Sequence, residues 1–97
     1  MDMDTILAGI SQKAAGMDPI NASLKISLGE KVIYLDGKGD SNVVSSEDKD
    51  ADCTITISEN DFKGIISGDI NPMMAFMSGK IKVAGDMSLA MKLQSLL

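Results

Sequence analysis

Asn71-Pro72-Met73-Met74-Ala75-Phe76-Met77 is the stretch on which the reading of this chain turns. Asn71 is an N-cap by residue type, and Pro72 then stands at the first helical position, where its missing N–H costs nothing, so the run starts a helix. No polar residue interrupts it. A helix normally shows an apolar stripe, and one that is apolar all round has to be covered on every side. The same excess continues downstream. From Met87 to Leu97, the residues Met87, Leu89, Ala90, Met91, Leu93, Leu96 and Leu97 are apolar, leaving Ser88, Lys92 and Ser95 as a narrow polar line at helical spacing. Upstream, Ser58 with Asp61 three residues on resembles a capping box and opens a helix. Its apolar positions Phe62, Ile65 and Ile66 fall at i, i+3 and i+4, and Gly68 closes it. More apolar surface is present than a small core absorbs, so these helices and a sheet are expected to surround an apolar cavity.

The sheet is read from alternation. Leu24, Ile26 and Leu28 alternate with Ser23, Lys25 and Ser27, as in a half-buried strand, and Gly29-Glu30 fits a tight hairpin turn that wants Gly first. Val32-Ile33-Tyr34-Leu35 is the returning strand and Asn42-Val43-Val44 a brief third one. Cys53-Thr54-Ile55-Thr56-Ile57 places Cys53, Ile55 and Ile57 on one face. Lys80-Ile81-Lys82-Val83 is the last predicted strand, after Gly79 ends the helix begun at Asn71, and Asp86 or Ser88 caps the final helix. At the other end, Asp4 can cap a first helix that carries Ile6, Leu7, Ile10 and Ala14 on one side.

Composition narrows the function. A chain of 97 residues is one domain, residues 1–97, able to bury ~65% of its unfolded surface. The net charge is -5, with no Arg or His, which argues against nucleic acid or an anionic membrane as a standing partner. It also removes the bidentate clamp for phosphate. Cys53 is alone, so neither a disulfide framework nor a cysteine metal cage is expected. The acidic start Met1-Asp2-Met3-Asp4 is unlike a signal peptide, and no apolar run approaches a membrane span, so a cytoplasmic protein is expected. Eight Met against three aromatics is unusual, because Met is the flexible filler of cores and of surfaces that accept varied partners.

Asp48, Asp50, Asp52 and Glu59 fall at positions 1, 3, 5 and 12 of a calcium loop, but Cys53 stands at position 6, where the sharp turn demands Gly. The stretch reads as an acidic loop leading into a strand. Without His there is no ordinary general base, and Cys53 faces the core in the strand reading. Gly37-x-Gly39 lacks the third glycine of a dinucleotide loop, and Gly79-Lys80 lacks the rest of a phosphate-binding loop. No catalytic residue, metal ligand or cofactor site is assigned.

From about Asp48 onward the residues match a known pattern. Ala51-Asp52-Cys53-Thr54-Ile55-Thr56-Ile57, Asp61-Phe62, Gly68, Asn71-Pro72, Ala75-Phe76-Met77, Gly79-Lys80-Ile81-Lys82-Val83, Gly85-Asp86-Met87 and Leu89-Ala90-Met91-Lys92-Leu93 closely resemble the sterol carrier protein 2 domain family. The resemblance implies an α+β fold in which a five-stranded sheet is covered by helices, with an apolar tunnel between them. It implies non-catalytic binding and transfer of fatty acids, fatty acyl-CoA, sterols or phospholipids. Peroxisomal members end in a Ser-Lys-Leu type signal, whereas this chain ends Gln94-Ser95-Leu96-Leu97, which suits a free-standing bacterial or archaeal member. Asp69 stands where relatives often have Lys, which weakens the case for an anionic head group at that spot.

The expected ligand-binding residues are Phe62, Ile65, Ile66, Met73, Met74, Phe76, Met77, Met87, Met91 and Leu93, with Lys80 and Lys82 as head-group contacts or, more simply, as solubilising charges on an edge strand. The expected partners are fatty acid, acyl-CoA or another apolar lipid, with room for transient membrane contact. A rigid empty tunnel of ~300 Å³ would cost roughly 7 kcal/mol, so the empty protein should be partly collapsed, with Met side chains swinging aside as a lipid enters and the last helix as the moving element. The competing readings are a dimerisation module docking through Leu89, Leu93, Leu96 and Leu97, and an accessory domain that presents an apolar substrate to an enzyme.

Overall fold

The computed structural model describes residues 3–96. Five strands form one sheet in the order β3-β2-β1-β4-β5. β1 (Ser23–Leu28) and β2 (Lys31–Asp36) make an antiparallel hairpin in which Leu28 pairs with Lys31, and Gly29 takes the positive φ of 83° that the two-residue turn requires. β3 (Val43–Ser45) adds to β2, and β4 (Cys53–Thr56) runs parallel to β1. β5 (Lys82–Gly85) closes the far edge. Because side chains alternate along each strand, the pairings Leu24 with Cys53, Ile26 with Ile55 and Ile26 with Ile33 gather the apolar set on one face.

That face carries the helices. α1 (Met3–Ala15) buries Ile6, Ile10 and Ala14, and α2 (Glu59–Ser67) buries Phe62 and Ile65. α3 (Pro72–Met77) buries Ala75, and α4 (Met87–Leu96) buries Leu89. All join one hydrophobic cluster with the sheet, as expected for an α+β fold. Asn42 pins α1 to this layer. Its buried side chain donates to the carbonyls of Ala14 (3.0 Å) and Asp18 (3.1 Å) and accepts from the Ile20 N–H at 3.1 Å.

The second face of the sheet meets the acidic loop instead. Tyr34 donates to the Asp50 carbonyl at 3.2 Å and Lys25 pairs with Asp48 at 3.0 Å, drawing the segment before β4 across the sheet. The Asp52 carboxylate accepts from the Ser23 N–H at 3.0 Å, which, with Lys38 nearby, holds its pKa below the ordinary carboxylate value. Among the described residues no three acidic or cysteine side chains could share a metal ion.

The caps lie largely where residue type places them. The Ser58 hydroxyl accepts from the Asp61 N–H at 3.1 Å, Gly68 adopts a left-handed φ of 87°, and Asn71 accepts from the Met73 N–H at 2.9 Å. Asp86, rather than Ser88, caps α4, accepting from the Ser88 N–H at 2.9 Å. Some boundaries differ from expectation, with β3 at Val43–Ser45 and not from Asn42, and β4 ending at Thr56 and not at Ile57. Asp4 lies within α1 and not ahead of it. β5 begins at Lys82 and not at Lys80, because the N–H groups of Lys80 and Ile81 both donate to the Ala75 carbonyl and close α3 before the ladder can start.

Candidate functional site

α3 and α4 leave an apolar groove between them, about 130 Å³ in volume, at the β4–β5 end of the sheet. Its floor is Ile55 and Val83, neighbours across β4 and β5, extended by Ile81 just before β5 and flanked by Ile65 of α2. One wall is Pro72, Met73 and Phe76 from successive turns of α3. The other is Met87, Ala90 and Met91 of α4. Every lining side chain is apolar, so the groove offers dispersion and desolvation and no side-chain hydrogen bond. A larger cleft beside α1 has Asp4, Glu30 and Lys31 in its wall and is unsuited to a hydrocarbon.

The hollow is open, in contrast to the enclosed tunnel expected. Met73, Phe76, Met87 and Met91 line it and are exposed as well, so they form a rim and not a lid. The expectation that α3 must be covered on every side fails for the same reason. α3 is one and a half turns long and buries only Ala75, leaving its Met and Phe side chains at the surface.

Of the residues read from the sequence, the groove brings together Ile65, Met73, Phe76, Met87 and Met91. Phe62 is displaced from it: its ring is fully buried beneath the helices as core. Ile66 packs on the edge of that core, also outside the groove lining. Met74 and Met77 lie outside the lining and face solvent, 65% and 77% exposed. The side chain of Leu93, like that of Leu96 and the whole of Leu97, lies outside the described residues. Lys80 and Lys82 are exposed and neither lines the groove. Sequence reasoning missed Ile55, Pro72, Ile81, Val83 and Ala90. The signal for Ile81 and Val83 was present, since they are the apolar half of an alternation whose lysine half had been singled out.

Titratable groups stay at the margins. Burial, with the Asp86 charge nearby, raises the pKa of the Cys53 thiol, and its side chain has no exposure at all, so it behaves as a small apolar core residue. Asp86 is held below the ordinary carboxylate range by its hydrogen bonds from Ser88. Glu59 is likewise depressed by its bonds to Lys63 and Lys31, on the outside of α2.

Comparison with known proteins agrees with this fold. The family model described as the SCP-2 sterol transfer family matches residues 3–97. The chain is 53% identical over 60 residues to sterol carrier protein 2 of Rattus norvegicus, a stretch that covers 62% of this chain and 11% of that one. The chain therefore corresponds to a small part of that longer relative. Among solved structures it superposes on the apo form of sterol carrier protein 2 from Yarrowia lipolytica with a TM-score of 0.68 and 27% identity, covering 96% of this chain and 84% of the other. The solution structure of the Aedes aegypti sterol carrier protein in complex with palmitate shares the fold, with a TM-score of 0.73 at 23% identity, covering 96% and 93% of the two chains.

Proposed function

The chain belongs to the SCP-2 sterol transfer family, and from that premise we propose that it holds the apolar tail of a lipid in the α3–α4 groove and carries it without catalysing a reaction. The observation that carries this reading is the uniformly apolar lining, built from the sheet floor and two methionine-bearing helices. The palmitate complex of the mosquito protein, which has the same fold, supports it. Fatty acids, fatty acyl-CoA and sterol-like molecules all present such a tail, and the groove has no polar side chain with which to choose among them.

Each buried methylene contributes ~0.8 kcal/mol, so a long chain gains enough from partial enclosure to offset its ordering. The groove as it stands is smaller than the ~300 Å³ at which sites for drug-sized ligands begin. A rigid void of 130 Å³ would cost roughly 3 kcal/mol against roughly 7 for a full tunnel, so a partly collapsed empty state is the cheaper one. Loading then needs α3 and α4 to part. Met73, Met87 and Met91, unbranched and polarisable, can follow the incoming chain with little strain. Protein stripped of copurified lipid should gain melting temperature on addition of palmitate, and Met91→Ala should reduce the gain. Absence of a shift with palmitate, palmitoyl-CoA and cholesterol alike would contradict the reading.

A further inference from the structure

Outside the groove, the same two helices carry a surface that holding a tail does not explain. Seven large apolar side chains are exposed among the described residues, and six of them, all but Val43, sit on α3 and α4, four on the groove rim and two, Met74 and Met77, outside its lining. Met74 and Met77 are the most exposed of these and adjoin the rim residues Met73 and Phe76 along α3. Charge divides along the same line. From Pro72 onward the chain holds three of its nine lysines and one of its fourteen acidic residues. That one, Asp86, is engaged by the Ser88 N–H and hydroxyl.

The remaining lysines are mostly neutralised locally, with Lys25, Lys31, Lys38, Lys49 and Lys63 each within 4.0 Å of a carboxylate. Lys80, in the turn after α3, has no such partner among the described residues, and Lys92, beside Met91 on α4, attracts Asp86 without forming an ion pair. Lys82 alternates with Val83 and so points to the sheet's other face. A protein acidic overall thus carries a surplus of lysine on the segment from Pro72 onward, beside its exposed apolar side chains.

We propose that the α3–α4 face docks on an anionic lipid bilayer. Met74 and Met77 enter the boundary between head groups and acyl chains, while Lys80 and Lys92 meet the anionic head groups. The acidic remainder is repelled, which fixes one orientation and turns the groove's exposed rim toward the membrane. A lipid tail then passes between bilayer and groove without crossing water. No described helix is long and apolar enough to cross a membrane, so the contact is peripheral. The net charge excludes a lasting attachment, as read from composition, and leaves a brief, oriented one. The inference stands on exposure and charge and does not require that the groove hold a lipid.

Co-sedimentation of the full chain with vesicles of phosphatidylcholine alone, and of equal parts phosphatidylcholine and phosphatidylglycerol, tests it. Binding is expected to the mixed vesicles and to fall with added salt. Lys80→Gln with Lys92→Gln should weaken it by about fivefold per lysine, roughly 30-fold together. Met74→Asp with Met77→Asp should abolish it, while keeping the wild-type melting temperature and palmitate shift in vesicle-free buffer. Equal binding to both vesicle types, or variants that sediment like the wild type, would overturn the proposal whatever palmitate does. A concentration-dependent dimer lost in the same variants, without vesicle binding, would give the face to a second copy and also overturn it. Vesicle binding without any palmitate shift would leave the docking face standing and remove the tail-holding groove.

Discussion

Phe62 and Phe76 are the same residue type on neighbouring helices, and truncating each to alanine should have opposite consequences. Phe62 is fully buried in the core, so Phe62→Ala leaves a cavity and should cost ~3–5 kcal/mol of stability. For a domain of this size that is a drop in melting temperature of ~15 °C or more. Phe76 is 41% exposed on the groove rim. Of a ring that offers ~200 Å², some ~80 Å² remains for a lipid tail to cover, and at ~25 cal/mol per Å² that is worth ~2 kcal/mol. Phe76→Ala should therefore weaken palmitate binding by about 10- to 30-fold while lowering the melting temperature far less than Phe62→Ala. Calorimetric titration of delipidated protein, with thermal melts of both variants, reads the two effects separately. Palmitate affinity within twofold of wild type in Phe76→Ala, or equal losses of stability in the two variants, would refute the assignment of one ring to the core and the other to the site.

Asn42→Ala removes three hydrogen bonds, two of them buried, and strands the Ile20 N–H and the Ala14 carbonyl, so chemical denaturation should show a loss of ~2–4 kcal/mol with an unchanged m-value. The pKa of Asp52 is lowered in the folded state, first by the Ser23 N–H, so its contribution is complete above the unfolded value of ~3.9 and disappears as pH falls through the lower folded value. Urea midpoints measured down that acid limb should fall less steeply in Asp52→Asn than in the wild type. The Cys53 thiol, fully buried and with its pKa raised, should react with an aromatic disulfide reagent only as fast as the chain opens, and at once in denaturant.

The sheet was largely legible because its signals are local. Alternation at Leu24, Ile26 and Leu28 and again at Cys53, Ile55 and Ile57 assigns faces without reference to the rest of the chain, and Gly29, Ser58, Gly68 and Asn71 mark turns and caps by chemistry that acts within a few residues. The parallel pairing of β1 with β4 has no such signature and was not read from the sequence. β5 was placed two residues early because a competing use of the Lys80 and Ile81 amides, closing α3, cannot be seen in an alternation pattern.

Within the site, legibility follows contrast. α2 has Lys63 and Gly64 between Phe62 and Ile65, so periodicity marks the side that faces inward, though not whether that side meets core or groove. α3 has no polar residue at all, so nothing local separates Met73 and Phe76, which line the groove, from Met74 and Met77, which do not. The surplus of apolar side chains was read correctly as a surplus. Its disposal, part to a groove and part to the outer surface, depends on how far α3 stands from α4, which only the tertiary packing determines.

The central claim is that the α3–α4 groove receives a lipid tail, and the methionines supply its reporters. In protein labelled at the methionine methyls, titration with palmitate in vesicle-free buffer should shift the methyls of Met73, Met87 and Met91 and give them cross-peaks to acyl protons, with Met74 and Met77 nearly unmoved. Acyl cross-peaks confined to Met74 and Met77, or absent from every methionine while palmitate is demonstrably bound, would contradict it.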